Sequence, residues 1–188
     1  GDMLGDHYLW RKTYAYEGSA AIPYIVKLPH FCKQVKKAGT PIDEPVELRD
    51  LLPTFLAVNG AEISKAIDGM SLLPLMEEKK ASWRRFIDIE HAETYWHNNY
   101  WCALTDGKIK YIWFFHSGEE QLFDLTKDPG EINDLSKDPS SQKQLKLMRK
   151  AMAEHLEERG EEWMKDGELI VRDKSLLYSP NYPTIKRR

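Results

Sequence analysis

The pair Asp106-Gly107 constrains this chain more than any other two residues. It separates residues 100–105 from residues 108–115, two runs rich in aromatic and β-branched side chains. Such runs suit a pleated surface. Asp-Gly between them predicts a two-residue hairpin, because a type I′ turn needs positive φ at both central positions. Upstream, Ile87, Ile89 and His91 alternate with Asp88 and Glu90, as in a strand with one covered face; downstream, residues 116–119 make a second turn before a strand at 121–125. The expectation is a four-stranded antiparallel meander over residues 83–125. A sheet with an apolar face needs a cover. The helix predicted after Asp138-Pro139 supplies it, with Leu145, Met148, Met152 and Leu156 on one stripe and Gly160 at its end. Tyr111, Trp113 and Phe115 then read as core between sheet and helix.

The preceding part is less regular. Residues 22–28 form a short apolar run that reads as a buried strand, and residues 30–44 have loop chemistry, with Gly39 and Pro41 among polar side chains. Over residues 46–60, Leu48, Leu51, Leu52, Phe55 and Leu56 fall on one face at helical spacing. Pro53 is tolerated only in a helix's first turn, where its missing donor is unpaired anyway, so the helix starts near Asp50 as its cap and stops at Asn59-Gly60. Residues 72–75 are a short element leading into an exposed linker, and residues 161–188 read as an irregular arm wrapping back over the body.

Composition narrows the classes of function. The chain has 188 residues, 41% of them apolar, and a formal net charge of −3. That balance argues against general nucleic-acid affinity, which wants a basic surface. No stretch approaches the roughly 18 apolar residues of a membrane span. The opening residues have neither the basic nor the apolar segment of a secretory signal. Cys32 and Cys102 show no metal-ligand or redox spacing and read as free, partly buried thiols.

Four segments carry a resemblance. The first is Gly5-Asp6-His7-Tyr8-Leu9-Trp10-Arg11-Lys12, followed by Tyr16-Glu17-Gly18 and Pro23. The second is Asp50-Leu51-Leu52-Pro53-Thr54, and the third is Asp68-Gly69-Met70-Ser71-Leu72-Leu73-Pro74. The fourth is Leu122-Phe123-Asp124-Leu125 with Asp128-Pro129-Gly130-Glu131 and Asn133-Asp134-Leu135. In this order, from residue 1 to about 158, they resemble the C-terminal part of the type I sulfatases of the alkaline phosphatase superfamily. The resemblance implies a fold class of α/β with α+β. Residues 1–78 would complete a catalytic α/β domain, residues 82–160 would form a C-terminal subdomain of four antiparallel strands packed on a helix, and residues 161–188 the arm. Ala21 departs from the pattern, standing where many relatives carry Arg.

By the same resemblance the parent enzyme would cleave sulfate esters with a formylglycine nucleophile and a divalent metal, usually calcium. Neither cysteine lies in the Cys/Ser-x-Pro-x-Arg motif that makes formylglycine, and the family's paired metal-binding aspartates have no match. No bound cofactor is therefore expected on this chain, and alone it should be inactive. Lys12 matches the lysine that reaches the sulfate oxygens, where a cation stabilises charge as the ester breaks. His7 matches a position near the substrate, able to bind or protonate the leaving oxygen. Glu90, His91 and His97, with Tyr95 and Trp96, could form a rim for a polar or sugar-like ring. Asp124 and Asp128 read as turn and capping residues. The implied partner is a sulfated small molecule or sugar, with self-association of the chain as a further expectation. Relatives are often periplasmic, secreted or lysosomal. The alternatives are a phosphonate or phosphodiester hydrolase of the same superfamily and a non-catalytic binding module working through residues 94–101.

Overall fold

The computed structural model describes residues 1–28, 31, 36, 37, 39–77 and 82–174. Cys32 and the end of the arm lie outside them. The chain divides into two compact units, one of Gly1–Ile22 with Asp88–Arg188, the other Pro23–Ile87.

In the first unit, β1 (Ile87–His91), β2 (Trp101–Thr105), β3 (Ile109–Phe114) and β4 (Glu120–Asp124) form one sheet in sequential order. β2 and β3 pair antiparallel, with Cys102 opposite Trp113 and Leu104 opposite Tyr111; β3 and β4 pair likewise, with Tyr111 opposite Leu122. The expected meander is present. Its first turn differs from expectation. Asp106 N–H bonds to Ile109 O, and of the turn residues Gly107 alone has positive φ, at 83°. Gly107-Lys108 is thus the central pair, and positive φ at the first central position is the type II′ pattern. Asp106 remains outside the turn's centre because its carboxylate accepts the N–H groups of Lys108 and Ile109.

Successive strand residues face opposite sides of a sheet. Residues on one side, including Cys102, Leu104, Tyr111 and Trp113, are buried with α4 (Gln142–Leu156), whose Leu145, Met148, Met152 and Leu156 are all buried as the stripe predicts. Glu120 ties this side together. Its carboxylate accepts from Tyr111 Oη at 2.5 Å and from Arg149 Nε and Nη2 of α4 at 2.6 and 2.5 Å. Burial alone would raise the Glu120 pKa, but the Arg149 and Tyr111 hydrogen bonds outweigh it and hold the carboxyl below its ordinary value. Cys102 is a free, fully buried thiol, its pKa pushed up by burial.

The opposite side of the sheet is covered too. Trp101, Ala103, Ile112 and Phe123 form a cluster with Ala15, against which Tyr16 packs. The N-terminal segment is a strap across this side, with a single helical turn, α1 (Glu17–Ala20), at its end. The start of the arm closes back on the sheet unit. Arg172 N–H donates to Phe115 O, and Trp163 is buried with Phe115 and Tyr100 at ring distances of 5.2 and 6.3 Å. A two-strand ribbon, β5 (Met164–Lys165) with β6 (Glu168–Leu169), lies within it.

The second unit holds α2 (Leu51–Val58), preceded by a 3-10 turn at Leu48–Asp50, and α3 (Leu73–Met76). Two expectations are corrected here, the strand at residues 22–28 and the Asp50 cap. Residues 22–28 form no strand: Ile25 is 93% exposed. A strand exists only through its neighbours, and no described residue pairs with this run. The apolar face of α2 is real but faces solvent, with Leu48, Leu51, Leu52 and Phe55 exposed while Pro53 and Thr54 are buried. Asp50 does not cap α2. Fully buried, it instead accepts from Glu47 N at 2.9 Å and Met70 N at 2.8 Å and pairs with the Arg84 guanidinium.

Two of the resembling segments lock together in this unit. Thr54 Oγ1 donates to Asp50 O and accepts from Leu72 N at 2.9 Å. Gly69 lies so close to Arg49 that an added Cβ would sit 2.0 Å from its carbonyl oxygen. Only glycine fits there, which gives the Asp-Gly-x-Ser segment a steric reason.

Candidate functional site

The strap carries Lys12, and its geometry is fixed from the sheet below. Trp101 Nε1–H donates to Thr13 O at 3.1 Å, and Asn99 Nδ2 donates to Thr13 Oγ1 at 3.2 Å. Asn99 is itself buried, and its Oδ1 also accepts from Trp101 Nε1. On either side of Lys12, the Arg11 guanidinium lies 5.7 Å over the Tyr95 ring and the Tyr14 ring lies 6.0 Å from Trp96. Lys12 itself is exposed. The structure thus brings together the Lys12 segment and the aromatic loop of residues 94–99, which the sequence treats as separate candidates.

The backbone around Lys12 is strained. Arg11 has φ 71° and Thr13 φ 105°, and Leu4, His7 and Tyr8 are also left-handed. Such conformations cost on the order of 1–3 kcal/mol each and persist where the surroundings over-determine them. For a β-branched residue such as Thr13, positive φ is a genuine outlier. The constraints are visible. Asp2 Oδ1 accepts from Arg11 N, Met3 N–H donates to Arg11 O, and the Asn99–Trp101 pair holds Thr13.

An ionic anchor lies farther along the strap. Lys110, the second residue of β3 and fully buried, donates from Nζ to Ala15 O at 2.8 Å and to Glu17 Oε1 at 2.6 Å, and pairs with Glu131 Oε1 at 2.8 Å. Glu131 Oε2 accepts from Glu17 N at 2.5 Å. Burial pushes the Glu131 carboxyl above its ordinary value, with Lys110 pulling the other way. Tyr16-Glu17 and Asp-Pro-Gly-Glu, distant in sequence, thereby meet on one lysine.

The histidines have separate partners. His7 Nε2–H donates to Gly130 O at 2.9 Å and its ring stacks on Tyr16 at 4.2 Å. His91 Nδ1–H donates to Asn99 O at 2.9 Å and its ring stacks on Trp101 at 5.8 Å, beneath the Thr13 contact. His97 is exposed, with Nδ1 2.6 Å from Glu93 Oε1 and its ring 3.9 Å from His116. Glu90, grouped with these by sequence, pairs instead with Arg159 at 2.5 Å. Asp124 and Asp128 serve turns, accepting from Thr126 N and Asn133 N, and Lys127 with Thr126 holds the Asp124 carboxyl down at about 2.

Sequence reasoning missed the residues that position the strap: Thr13, Asn99, Trp101, Lys110 and Glu131. Two left a signal, Lys110 as a charge within an apolar strand and Glu131 as the last residue of Asp-Pro-Gly-Glu.

Comparison with known proteins places these features in a family. The model of the N-sulphoglucosamine sulphohydrolase C-terminal family matches residues 5–158. An arylsulfatase of Clostridium perfringens is 38% identical over 92% of this chain and 35% of its own length. A Δ4,5-hexuronate-2-O-sulfatase of Bacteroides thetaiotaomicron is 26% identical over 98% of the chain and 38% of its own length. The chain therefore spans little more than a third of these relatives. Among solved structures, a protein in complex with its substrate D-glucosamine-2-N,6-O-disulfate superposes with TM-score 0.69 and 26% identity, covering 84% of this chain and 32% of that one. A phosphonate monoester hydrolase of Silicibacter pomeroyi gives TM-score 0.70 and 28% identity, covering 84% and 33%. With four segments in register, a sheet-and-helix unit that superposes on solved enzymes and a family model spanning most of its length, the chain belongs to the sulfatases, as a C-terminal portion of their α/β fold.

Proposed function

We propose that this chain works as the C-terminal part of a sulfuric ester hydrolase, and that Lys12 reaches the sulfate or the leaving oxygen of a sulfated small molecule or sugar. In this reading residues 1–78 belong to the catalytic domain, 82–160 to the C-terminal subdomain and 161–188 to its arm. The observation that carries the proposal is the treatment of Lys12. Both its neighbours have left-handed backbone, Thr13 held by the buried Asn99 and Trp101 and Arg11 by Asp2 and Met3, while its own side chain remains exposed. Strain maintained around an exposed cation is expected where that cation must be presented in one geometry.

Lys12 would stabilise negative charge as the ester bond breaks. His91 would act beneath it by holding Asn99, and His97 with Tyr95 and Trp96 would border the substrate. His7 spends Nε2 on Gly130, so any contact with substrate falls to Nδ1. In the complete enzyme a formylglycine would supply the nucleophile and a divalent metal such as calcium would bind the sulfate. The residues described here do not fit either role: Cys102 is sealed in β2 and followed by Ala103-Leu104, and the acid-and-histidine cluster at Glu93 offers two imidazoles where calcium prefers six to eight oxygens.

In the complete enzyme, Lys12→Ala should lower kcat for an aryl sulfate by on the order of 10²-fold, the usual size of a lost electrostatic contact in the transition state. Lys12→Arg should restore only part, because a planar fork does not replace a compact ammonium. An unchanged kcat for Lys12→Ala would return Lys12 to an ordinary surface lysine. Likeness to the phosphonate monoester hydrolase supports a second reading, hydrolysis of phosphonate or phosphodiester substrates. Comparing kcat/KM for matched aryl sulfate, phosphonate and phosphodiester substrates separates the two.

A further inference from the structure

Glu93, His97 and His116 are grouped in the first unit with their ligand atoms all within 4.8 Å of one another. They come from two places in the chain. Glu93 and His97 lie in the loop after β1, and His116 lies in the turn between β3 and β4. We infer that they form a binding site for a divalent transition metal, zinc by preference, which staples the loop of residues 93–97 to the sheet.

The orientation of His116 supports this. Its Nδ1 lies 2.6 Å from Arg172 O, and a carbonyl only accepts, so Nδ1 carries the proton. In the neutral ring, Nε2 is then the nitrogen without a proton, and this atom lies 4.0 Å from Glu93 Oε2. A metal-binding histidine ordinarily gives its other ring N–H to a carbonyl or carboxylate, which fixes both tautomer and ring direction. The His116 side chain is only 4% exposed, so its position is set by packing. Glu93 is shared, with Oε1 accepting from His97 Nδ1 at 2.6 Å. A cation entering between them takes the place of that shared proton.

The donor set selects the metal. Two imidazoles and one carboxylate suit zinc and its first-row neighbours, with a fourth position left to water. Metal–ligand distances of about 2.0–2.2 Å put tetrahedral ligand atoms about 3.4 Å apart. Reaching that spacing needs a modest adjustment, in which the 2.6 Å Glu93–His97 contact opens and the 4.0 Å His116–Glu93 separation closes. His97, with 57% of its side chain exposed, can provide it by swinging out of its stack on His116. That exposure also gives the ion a route in from solvent. Occupancy would immobilise the segment carrying Tyr95 and Trp96, the aromatic residues beside the Lys12 loop.

The test uses the untagged 188-residue chain, stripped with a chelator and titrated with Zn²⁺ by calorimetry at low micromolar concentration. The expected result is one Zn²⁺ per chain at micromolar Kd or tighter, with a rise in Tm and, on replacement by Co²⁺, visible ligand-field bands. Both His97→Ala, at an exposed position, and the isosteric Glu93→Gln should weaken binding at least about tenfold with an unchanged far-ultraviolet spectrum. His155→Ala, at a histidine elsewhere, should bind like the parent. Absence of stoichiometric binding overturns the inference, as do His97→Ala and Glu93→Gln proteins that bind Zn²⁺ like the parent.

Discussion

Lys110 shows how a single residue can connect the strap to the rest of the unit. A fully buried ammonium is stable only with partners close by, and here a carbonyl and two carboxylates surround it. Replacing Lys110 with Met keeps much of the volume but leaves Glu131 buried beside Glu17 with no cation. The expected loss is about 3–5 kcal/mol of stability, the range for breaking a buried pair from one side. Urea unfolding of the K110M chain checks it, and a K110M/E131Q double variant should lose less than the sum of the two single changes. A K110M loss under about 1 kcal/mol would mean the carboxylates have found water. The strap is the part of the site least legible in the sequence. Thr13 and Asn99 are ordinary polar residues, and their value comes from a contact across 86 positions that no local pattern announces.

At the scale of elements, the sequence is legible where the partner is also local. The hairpin followed from Asp106-Gly107 and its flanks, although Asp106 proved to brace the turn by side-chain acceptance rather than occupy its centre. Helix α4 followed from its stripe, and its energetics should follow too. Met152→Ala, at 0% exposure, should cost about 2–5 kcal/mol, whereas Leu147→Ala on the same helix, at 51% exposure, should cost under about 0.5 kcal/mol. Thermal unfolding of both variants checks the contrast, and equal losses would refute the assigned face. Residues 22–28 do not form the expected strand, and α2 forms with its apolar face uncovered, for one common reason. Periodicity reports that a face is apolar, but whether anything covers it depends on residues that periodicity does not name. The buried position of Asp50 was hidden because Arg84 and Met70, its partners, are 34 and 20 residues away.

For the molecule as a whole, the second unit leaves Leu48, Leu51, Leu52, Phe55 and Ile25 in solvent. A group of exposed large apolar side chains marks an interaction or aggregation surface. The chain alone should therefore self-associate as its concentration rises, and light scattering checks this. A strictly monomeric mass at high concentration, with full hydrogen-exchange protection over residues 22–28, would contradict it. The strap has a different consequence, one of timing. Thr13 waits for Trp101, 88 residues later, and Ala15 for Lys110, 95 residues later. At a synthesis rate of roughly 5–20 residues per second, the Lys12 segment leaves the ribosome about 5–20 s before the strands that shape it. During that interval Thr13 lacks the Asn99 and Trp101 contacts that hold its left-handed backbone. The loop proposed to meet the sulfate is made well before the strands that give it its form.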